Sequence, residues 1–261
     1  MMEELDFRSR YMELDDKTDE LKDFVTHYRE PCQEFEERFE ISWIYHENAL
    51  EGVVLTYHEI KAAIDRKIIS DVNLIPTYQE IKNHKDAIDF IKKAAVNKRS
   101  RMNLSLVKSV HQILANELEG VEIGRYRKEI PLHRTYFHEI SQPSRISYRL
   151  NKLLQTVTTA EFKRWHPVKQ AAAFHHEFMS IFPFPENSGK VGRLLMNYFL
   201  IRGGYIPAVV HSIDRQRYYE SLRSPVVQLR ELLVEAMENS IESGMRYVHE
   251  MVRQPTQVYV N

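Results

Sequence analysis

An all-α fold, a helical bundle carrying one small β-hairpin flap, is predicted by three observations. Apolar residues recur every three or four positions through most of the chain, the spacing that gathers them on one face of a helix. Glycine is scarce, with 8 in 261 residues against an average of roughly 7%, which does not suit the many turns of an all-β protein. Helical spacing is lost over only one long interval, residues 120 to 144.

Taken in order, helical patterns cover about 11 to 39, 42 to 50 and 57 to 65. In "YQEIKNHKDAIDFIKKAAV", Ile81, Ile88, Ile91 and Ala95 fall at offsets of seven, three and four, placing them on one side of a helix. "NLSLVKSVHQILANEL" repeats the pattern through Leu106, Val110, Ile113 and Leu114, with Asn103 and Ser105 as candidate N-caps. The interval "GVEIGRYRKEIPLHRTYFHEISQPS" then alternates short polar and aromatic stretches, punctuated by Gly124, Pro131 and Pro143. A hairpin or extended flap is expected there; a plain connecting loop fits the same residues, although a loop of this length in a compact domain is often functional. Further helices are expected over about 143 to 158, 167 to 180, 188 to 202, 214 to 222 and 225 to 252, the third of these ended by Gly203-Gly204.

Composition excludes several classes. The formal net charge is −1, so no global field steers the chain to nucleic acid or an acidic membrane. Cys32 is the only cysteine, which rules out an internal disulfide and a multi-thiolate metal site and suits a reducing compartment. "MMEELDFRSR" lacks the apolar core of a secretory leader, and no apolar run reaches the length of a membrane span. A soluble cytoplasmic protein is the expectation. With no repeats and no low-complexity linker, one compact domain is the simplest organisation.

The most informative stretch is "FHHEFMSIFPFPENSGKVGRLLMNYFL", residues 174 to 200. Pro183 and Pro185 disfavour helix in the residues before them, so the incoming helix must stop near Ile181. After Glu186-Asn187-Ser188-Gly189 a new helix begins, with Val191, Leu194, Leu195, Met196, Phe199 and Leu200 as its apolar residues. The first N–H groups of a helix lack intrahelical partners and its dipole adds positive potential, so this end attracts phosphate. Lys190 and Arg193 sit in the first turn, where cations are unfavourable unless an anion relieves them, and Glu186 could hold Mg²⁺ against the same phosphate. An ordinary turn, with Ser188 as N-cap and two solvated cations, fits these residues as well.

Two other phosphate and metal motifs fail. A P-loop needs Gly-x-x-x-x-Gly-Lys-[Ser/Thr], but Phe184 stands at the first Gly and Val191 at the Ser/Thr. A zincin needs His-Glu-x-x-His, and "HEFMS" ends in Ser180. His175 and His176 point about 100° apart on a helix and are expected to be satisfied rather than to share a metal.

The loop and its flanks resemble the Fic (Fido) family, whose signature is His-x-Phe-x-(Asp/Glu)-Gly-Asn-Gly-(Lys/Arg)-x-x-Arg. Here the run is Phe182-Pro-Phe184-Pro-Glu186-Asn187-Ser188-Gly189-Lys190-Val-Gly-Arg193. "HPVKQAAAFHHEFMSI" and "RLLMNYFLIRGGYIP" resemble the helices entering and leaving the motif, "GRYRK" the start of the family's flap, and "DRQRYYESL" its downstream helix. "ENALEGVVLT" is similar to the inhibitory helix of family members carrying Ser/Thr-x-x-x-Glu-Gly/Asn: Glu51-Gly52 fits, and Glu47 takes the Ser/Thr place.

The resemblance implies a Fic-like helical core over 41 to 225, an N-terminal helical extension over 1 to 40, and a C-terminal helix and tail over 226 to 261. It implies ATP as nucleotide and Mg²⁺ bound by Glu186. The Asn187, Ser188 and Gly189 backbone would form the anion hole, with Lys190 and Arg193 on the phosphates. Glu51 would pair with Arg193 and obstruct the γ-phosphate. The 124 to 140 flap would hold an extended segment of an unidentified target protein by strand addition. The oligomeric state stays open, a homo-oligomer included.

The departures matter equally. Phe182 replaces the histidine that takes a proton from the target hydroxyl; such bases contribute about 10²- to 10⁴-fold, so protein AMPylation should fall by that order while phosphate binding survives. Asn187 replaces Gly and Ser188 replaces Asn, and Asn tolerates positive φ better than most residues. His175 lies on the face of Phe182 but about 10 Å earlier along the axis, which suits packing, while His133 or His138 of the flap would have to approach from the other side. Three readings follow: a degenerate, self-blocked nucleotide-binding Fic protein with AMPylation lost or impaired; an active Fic-type nucleotidyltransferase or phosphotransferase with altered donor chemistry; and a non-catalytic interaction module.

Overall fold

The computed structural model describes residues 2–65, 74–131 and 138–253. Eleven α-helices are formed by the described residues, and none of those residues lies in a strand. In chain order they are α1 (Met2–His27), α2 (Arg29–Leu50), α3 (Tyr57–Ile64), α4 (Ile75–Val96), α5 (Leu104–Leu114), α6 (Ile146–Thr156), α7 (Ala160–Arg164), α8 (Pro167–Ile181), α9 (Ser188–Arg202), α10 (Arg215–Ser221) and α11 (Val226–Arg253).

The helix expected over 11 to 39 is two helices, broken at Tyr28 (φ −124°, ψ 61°). Pro31 gives a reason: its missing N–H is harmless only in a first turn, so a helix containing it must start just ahead of it. Asn103 caps α5, its side chain accepting from Leu106 N–H at 2.9 Å. Pro167 occupies the first turn of α8, where its fixed φ is already helical.

The centre of the molecule is the α8–α9 pair, with α4 and α5 packed on α9, and α6 and α11 on α8. α9 is buried continuously from Ser188 to Leu200. Val191, Leu194, Leu195 and Leu200 are fully enclosed, each contributing about 1.5–3 kcal/mol as an upper estimate. Asn197, also enclosed, donates to Ala208 C=O (3.1 Å) and accepts from Ala208 N–H (2.8 Å). That core fixes the direction of the α9 N-terminus.

α2 is the element that reaches this end from outside. Lys92 of α4 donates to its Glu40 at 2.6 Å and Lys85 stands 3.1 Å from the same carboxylate. On its other side α2 crosses α11 at Gly244, where an added Cβ would meet the Phe35 ring at 2.8 Å. α1 is joined to α11 by Lys17–Glu242 at 2.8 Å and Arg10–Glu238 at 3.4 Å.

The β-hairpin flap expected between 120 and 144 is not formed. The described residues there run as turns, bends and irregular chain, residues 132 to 137 lying outside the described residues. The physical reason is a competing set of partners, the carbonyls at the C-terminal end of α8, which a helix leaves unbonded. Arg127 N–H donates to Pro183 C=O at 2.9 Å, and its guanidinium donates to Phe182 C=O (2.7 Å), Ile181 C=O (3.2 Å), Glu129 C=O (3.0 Å) and Ser141 C=O. Ser141 N–H donates to Ser180 C=O at 2.9 Å, and His138 Nε2 meets Met179 C=O at 2.9 Å. Groups that a hairpin would pair across a ladder are spent on the helix end.

Candidate functional site

The loop between α8 and α9 begins at Phe182, which ends α8 in the left-handed region (φ 48°, ψ 68°) with its ring buried. It closes at Asn187, also left-handed (φ 58°, ψ 7°), the conformation that Asn accepts more readily than most residues. Between them, Ser188 Oγ accepts from Phe184 N–H at 2.8 Å and donates to Phe184 C=O at 2.9 Å, so the loop is tied to the helix it starts. Ser188 is therefore the first residue of α9, with Asn187 at the N-cap position making no side-chain cap bond.

His111 of α5 braces the loop from behind. Its ring stacks on Phe184 at 4.0 Å, and its Nδ1 accepts from Gly124 N–H at 3.1 Å, linking flap and loop. Burial pushes the His111 pKa down to about 4, so the ring is neutral.

Lys190 and Arg193 are not solvated. Lys190 is 7% exposed and Arg193 1%, and both turn towards the last turn of α2. Lys190 Nζ donates to Asn48 Oδ1 at 2.9 Å. Arg193 Nε donates to Glu47 Oε2 at 2.5 Å, its Nη2 to Glu51 Oε1 at 2.9 Å, and its Nη1 to Tyr218 Oη at 3.4 Å. Burial alone would lower the pKa of Arg193, but Glu47, Tyr218 and Glu51 more than offset it and hold it firmly charged. Burial lowers the pKa of Lys190, against the pull of Glu80 and Glu51.

Glu51 does more than pair with Arg193. A Cβ built on Gly189 would run into Glu51 Oε1 and lie 3.0 Å from Arg193 Nη1. A carboxylate thus sits against the first turn of α9, the place where a helix end attracts an anion. A side chain at position 189 would have to displace the Glu51 carboxylate. Glu51 is the C-cap of α2, and Gly52 (φ 91°) turns the chain away. Leu50 C=O accepts from Arg215 Nε at 2.9 Å and Tyr219 Oη at 3.1 Å, anchoring this end to α10.

Glu186 stands apart, exposed on the loop. With Pro185 it borders a groove of about 560 Å³ whose other wall is Tyr126, Arg127 and Lys128 of the flap region. Among the described residues no three His, Cys, Asp or Glu side chains gather as a metal site. A lone carboxylate of this kind fits Mg²⁺ arriving with a nucleotide, since Mg²⁺ takes one or two protein carboxylates and fills its remaining positions with phosphate oxygens and water.

The histidines resolve as packing groups. His175 Nε2 lies 2.8 Å from the Tyr218 hydroxyl; with Arg193 donating to that oxygen, the O–H donates to His175, and burial holds the ring neutral, its pKa down to about 3. His176 Nε2 bonds Ser224 C=O at 3.0 Å. His138 is bound to the α8 end, and His133 lies outside the described residues. The residues that sequence reasoning missed are Asn48, Tyr218 and Arg127, together with the contact role of Glu47. Asn48 and Tyr218 carry no motif of their own, but Glu47 and Glu51 stand four apart on one helical face, as Lys190 and Arg193 stand three apart on theirs.

The site and fold together define a class: a protein helical throughout its described regular structure, with two buried cations at a helix N-terminus that the acidic end of another helix covers. The chain's similarities to known proteins lie in one direction. Residues 101–200 match the model of the Fic/DOC family. The chain is 27% identical over 225 residues to a protein adenylyltransferase Fic of Aedes aegypti, covering 85% of this chain and 44% of that protein. It is 26% identical over 179 residues to a protein of the same name from Nematostella vectensis, covering 69% and 42%. Among solved structures, Fic-1 of C. elegans superposes with a TM-score of 0.79 at 19% identity, over 94% of this chain and 73% of that one. A Fic domain containing signaling protein from Bacteroides thetaiotaomicron gives 0.73 at 21%, over 88% and 97%. The chain is thus similar to Fic proteins in sequence over residues 101–200 and in fold over most of its length. It spans less than half the length of the two relatives. No described helix is long and apolar enough to cross a membrane.

Proposed function

We propose that this chain is a Fic protein that retains a nucleotide-phosphate site over residues 184 to 193, holds that site closed with its own α2, and has lost most or all of its capacity to transfer AMP to protein hydroxyls. The observation that carries the reading is the Glu51 carboxylate, lodged between Arg193 and Gly189 at the N-terminus of α9. An anion supplied by the chain itself stands where the family resemblance puts the nucleotide phosphates.

In this reading the N–H groups of Ser188 and Gly189 orient a phosphate, Lys190 and Arg193 neutralise it, and Glu186 holds Mg²⁺, which supplies charge neutralisation when bound. Asn187 shapes the hole through its left-handed backbone. Phe182 stands at the position of the proton acceptor, and a phenyl ring cannot accept a proton from an attacking hydroxyl. A target segment laid along the flap residues 124 to 131 would face Glu186 across the groove. The Fic-like core in this reading is 41–225, with 1–40 as an N-terminal extension and 226–261 as the C-terminal segment.

The test is transfer of label from ATP to protein. Wild type is expected to give none, and Phe182→His combined with Glu51→Gly is expected to give transfer, the restored base alone being worth on the order of 10²- to 10⁴-fold. Robust transfer by the wild-type chain would overturn the loss of activity. ATP·Mg²⁺ binding by calorimetry tests the retained site separately: Glu51→Gly should strengthen it and Lys190→Met should weaken it, whereas a site that binds under no condition leaves only an interaction module.

A further inference from the structure

The covering of the phosphate site is wider than one glutamate. Arg193 is gripped on its Nε edge by Glu47, at 2.5 Å, independently of Glu51 on Nη2. Glu47 is 2% exposed and its second oxygen accepts from Trp43 Nε1 at 3.3 Å, so it is locked in place by the body of α2. Burial pushes the Glu47 carboxyl upward in pKa, against the pull of Arg193. Beside it, Asn48 holds Lys190 at 2.9 Å and is itself fixed by donating to Ile44 C=O at 2.7 Å.

We propose that Glu47 is a second, inner lock on Arg193, so that removing Glu51 alone opens the phosphate site only in part. The inference rests on the nucleotide-site reading above and adds a residue to its regulation. Charge gives the reason. In the closed state Lys190 and Arg193 face Glu47 and Glu51, with Glu80 also acting on Lys190; the four groups at the α2–α9 contact alone sum to zero. Losing Glu51 leaves one positive charge, and losing Glu47 as well leaves two. A triphosphate arriving after the first change still meets an arginine whose Nε edge carries a buried carboxylate. After the second it meets an arginine without a charged partner, and buried charges in that condition demand one.

The experiment is calorimetry of ATP·Mg²⁺ with four forms of the full chain: wild type, Glu51→Gly, Glu47→Gln and the double variant. The double variant is expected to bind at least ten-fold more tightly than Glu51→Gly, and Glu47→Gln alone to bind measurably better than wild type. A double variant that binds no better than Glu51→Gly, or worse, overturns the lock and makes Glu47 a residue that positions Arg193 for phosphate. Binding by none of the four overturns the nucleotide site itself, and the lock with it. Because Glu47 is buried, Glu47→Thr is measured in parallel, thermal melts confirming which variants are folded; the smaller hydroxyl equally removes the carboxylate from the Nε edge of Arg193 and is expected to give the same order of affinities.

Discussion

Asn197 shows how a single buried amide can hold the site in place. It lies on α9 one turn beyond Arg193 and bonds both backbone groups of Ala208, at 2.8 and 3.1 Å, in the chain that leaves Gly203-Gly204. Asn197→Ala would strand a buried N–H and a buried C=O together. At roughly 1–3 kcal/mol for each unsatisfied group, the expected loss of stability is about 2–6 kcal/mol, read from urea unfolding with an unchanged m-value. A loss below about 0.5 kcal/mol would mean that water reaches Ala208. Much of the residue-level site was legible in the sequence where the constraint is local. Asn187 was expected to tolerate positive φ and does adopt it, and Glu186, Lys190 and Arg193 could be named from the order of the motif. The place of Ser188 was less legible, because its hydroxyl turns back to Phe184 instead of capping the helix, a choice that depends on the three-dimensional path of the loop.

At the scale of elements, legibility follows the range of the interactions. The helices expected over 167 to 180 and 188 to 202 are found as Pro167–Ile181 and Ser188–Arg202, since prolines and a glycine pair punctuate them locally. The hairpin expected between 120 and 144 fails because what organises that segment is Arg127, bonded to carbonyls of residues as distant in sequence as Phe182 and Pro183. Alternating polar and aromatic residues signal a strand only while no other acceptors compete for its donors. This assigns a role that can be tested: Arg127 fastens the flap region to the end of α8, a cation where the helix dipole favours one. Arg127→Ala is expected to cost about 2–4 kcal/mol, since several buried carbonyls lose a donor. Hydrogen exchange of residues 124 to 131 should accelerate while α4 and α5 keep their protection. Exchange that rises equally everywhere would show that Arg127 supports the whole fold and not this junction.

At the scale of the whole molecule, the fold stores neutral imidazoles. His84 is fully enclosed, and burial together with Lys190 and Arg193 holds its pKa well below the usual histidine value. Burial likewise sets His175 to about 3, and His46 and His111 to about 4, with His211 adding to the shift of His46. These groups come from α2, α4, α5 and α8, the helices that surround and aim the site, so their protonation bears on the entire assembly. In the unfolded chain each returns to a pKa near 6.5. Below that value the unfolded state therefore binds more protons than the folded one, and stability falls with pH. The stabilisation is complete above about pH 6.5 and is lost progressively towards pH 4, each imidazole adding a slope of about 1.4 kcal/mol per pH unit once its unfolded form is charged. His166 is shifted the same way by burial, against the pull of Asp15, whereas Glu47, whose carboxyl burial pushes upward, acts in the opposite sense. Thermal melts between pH 7.5 and pH 5 should show a steadily falling Tm, and His84→Gln should flatten the decline by removing one of these titrations. A Tm that stays level across this range would mean that the four rings gain their protons within the folded state, and that the helices around Arg193 are looser than their packing indicates.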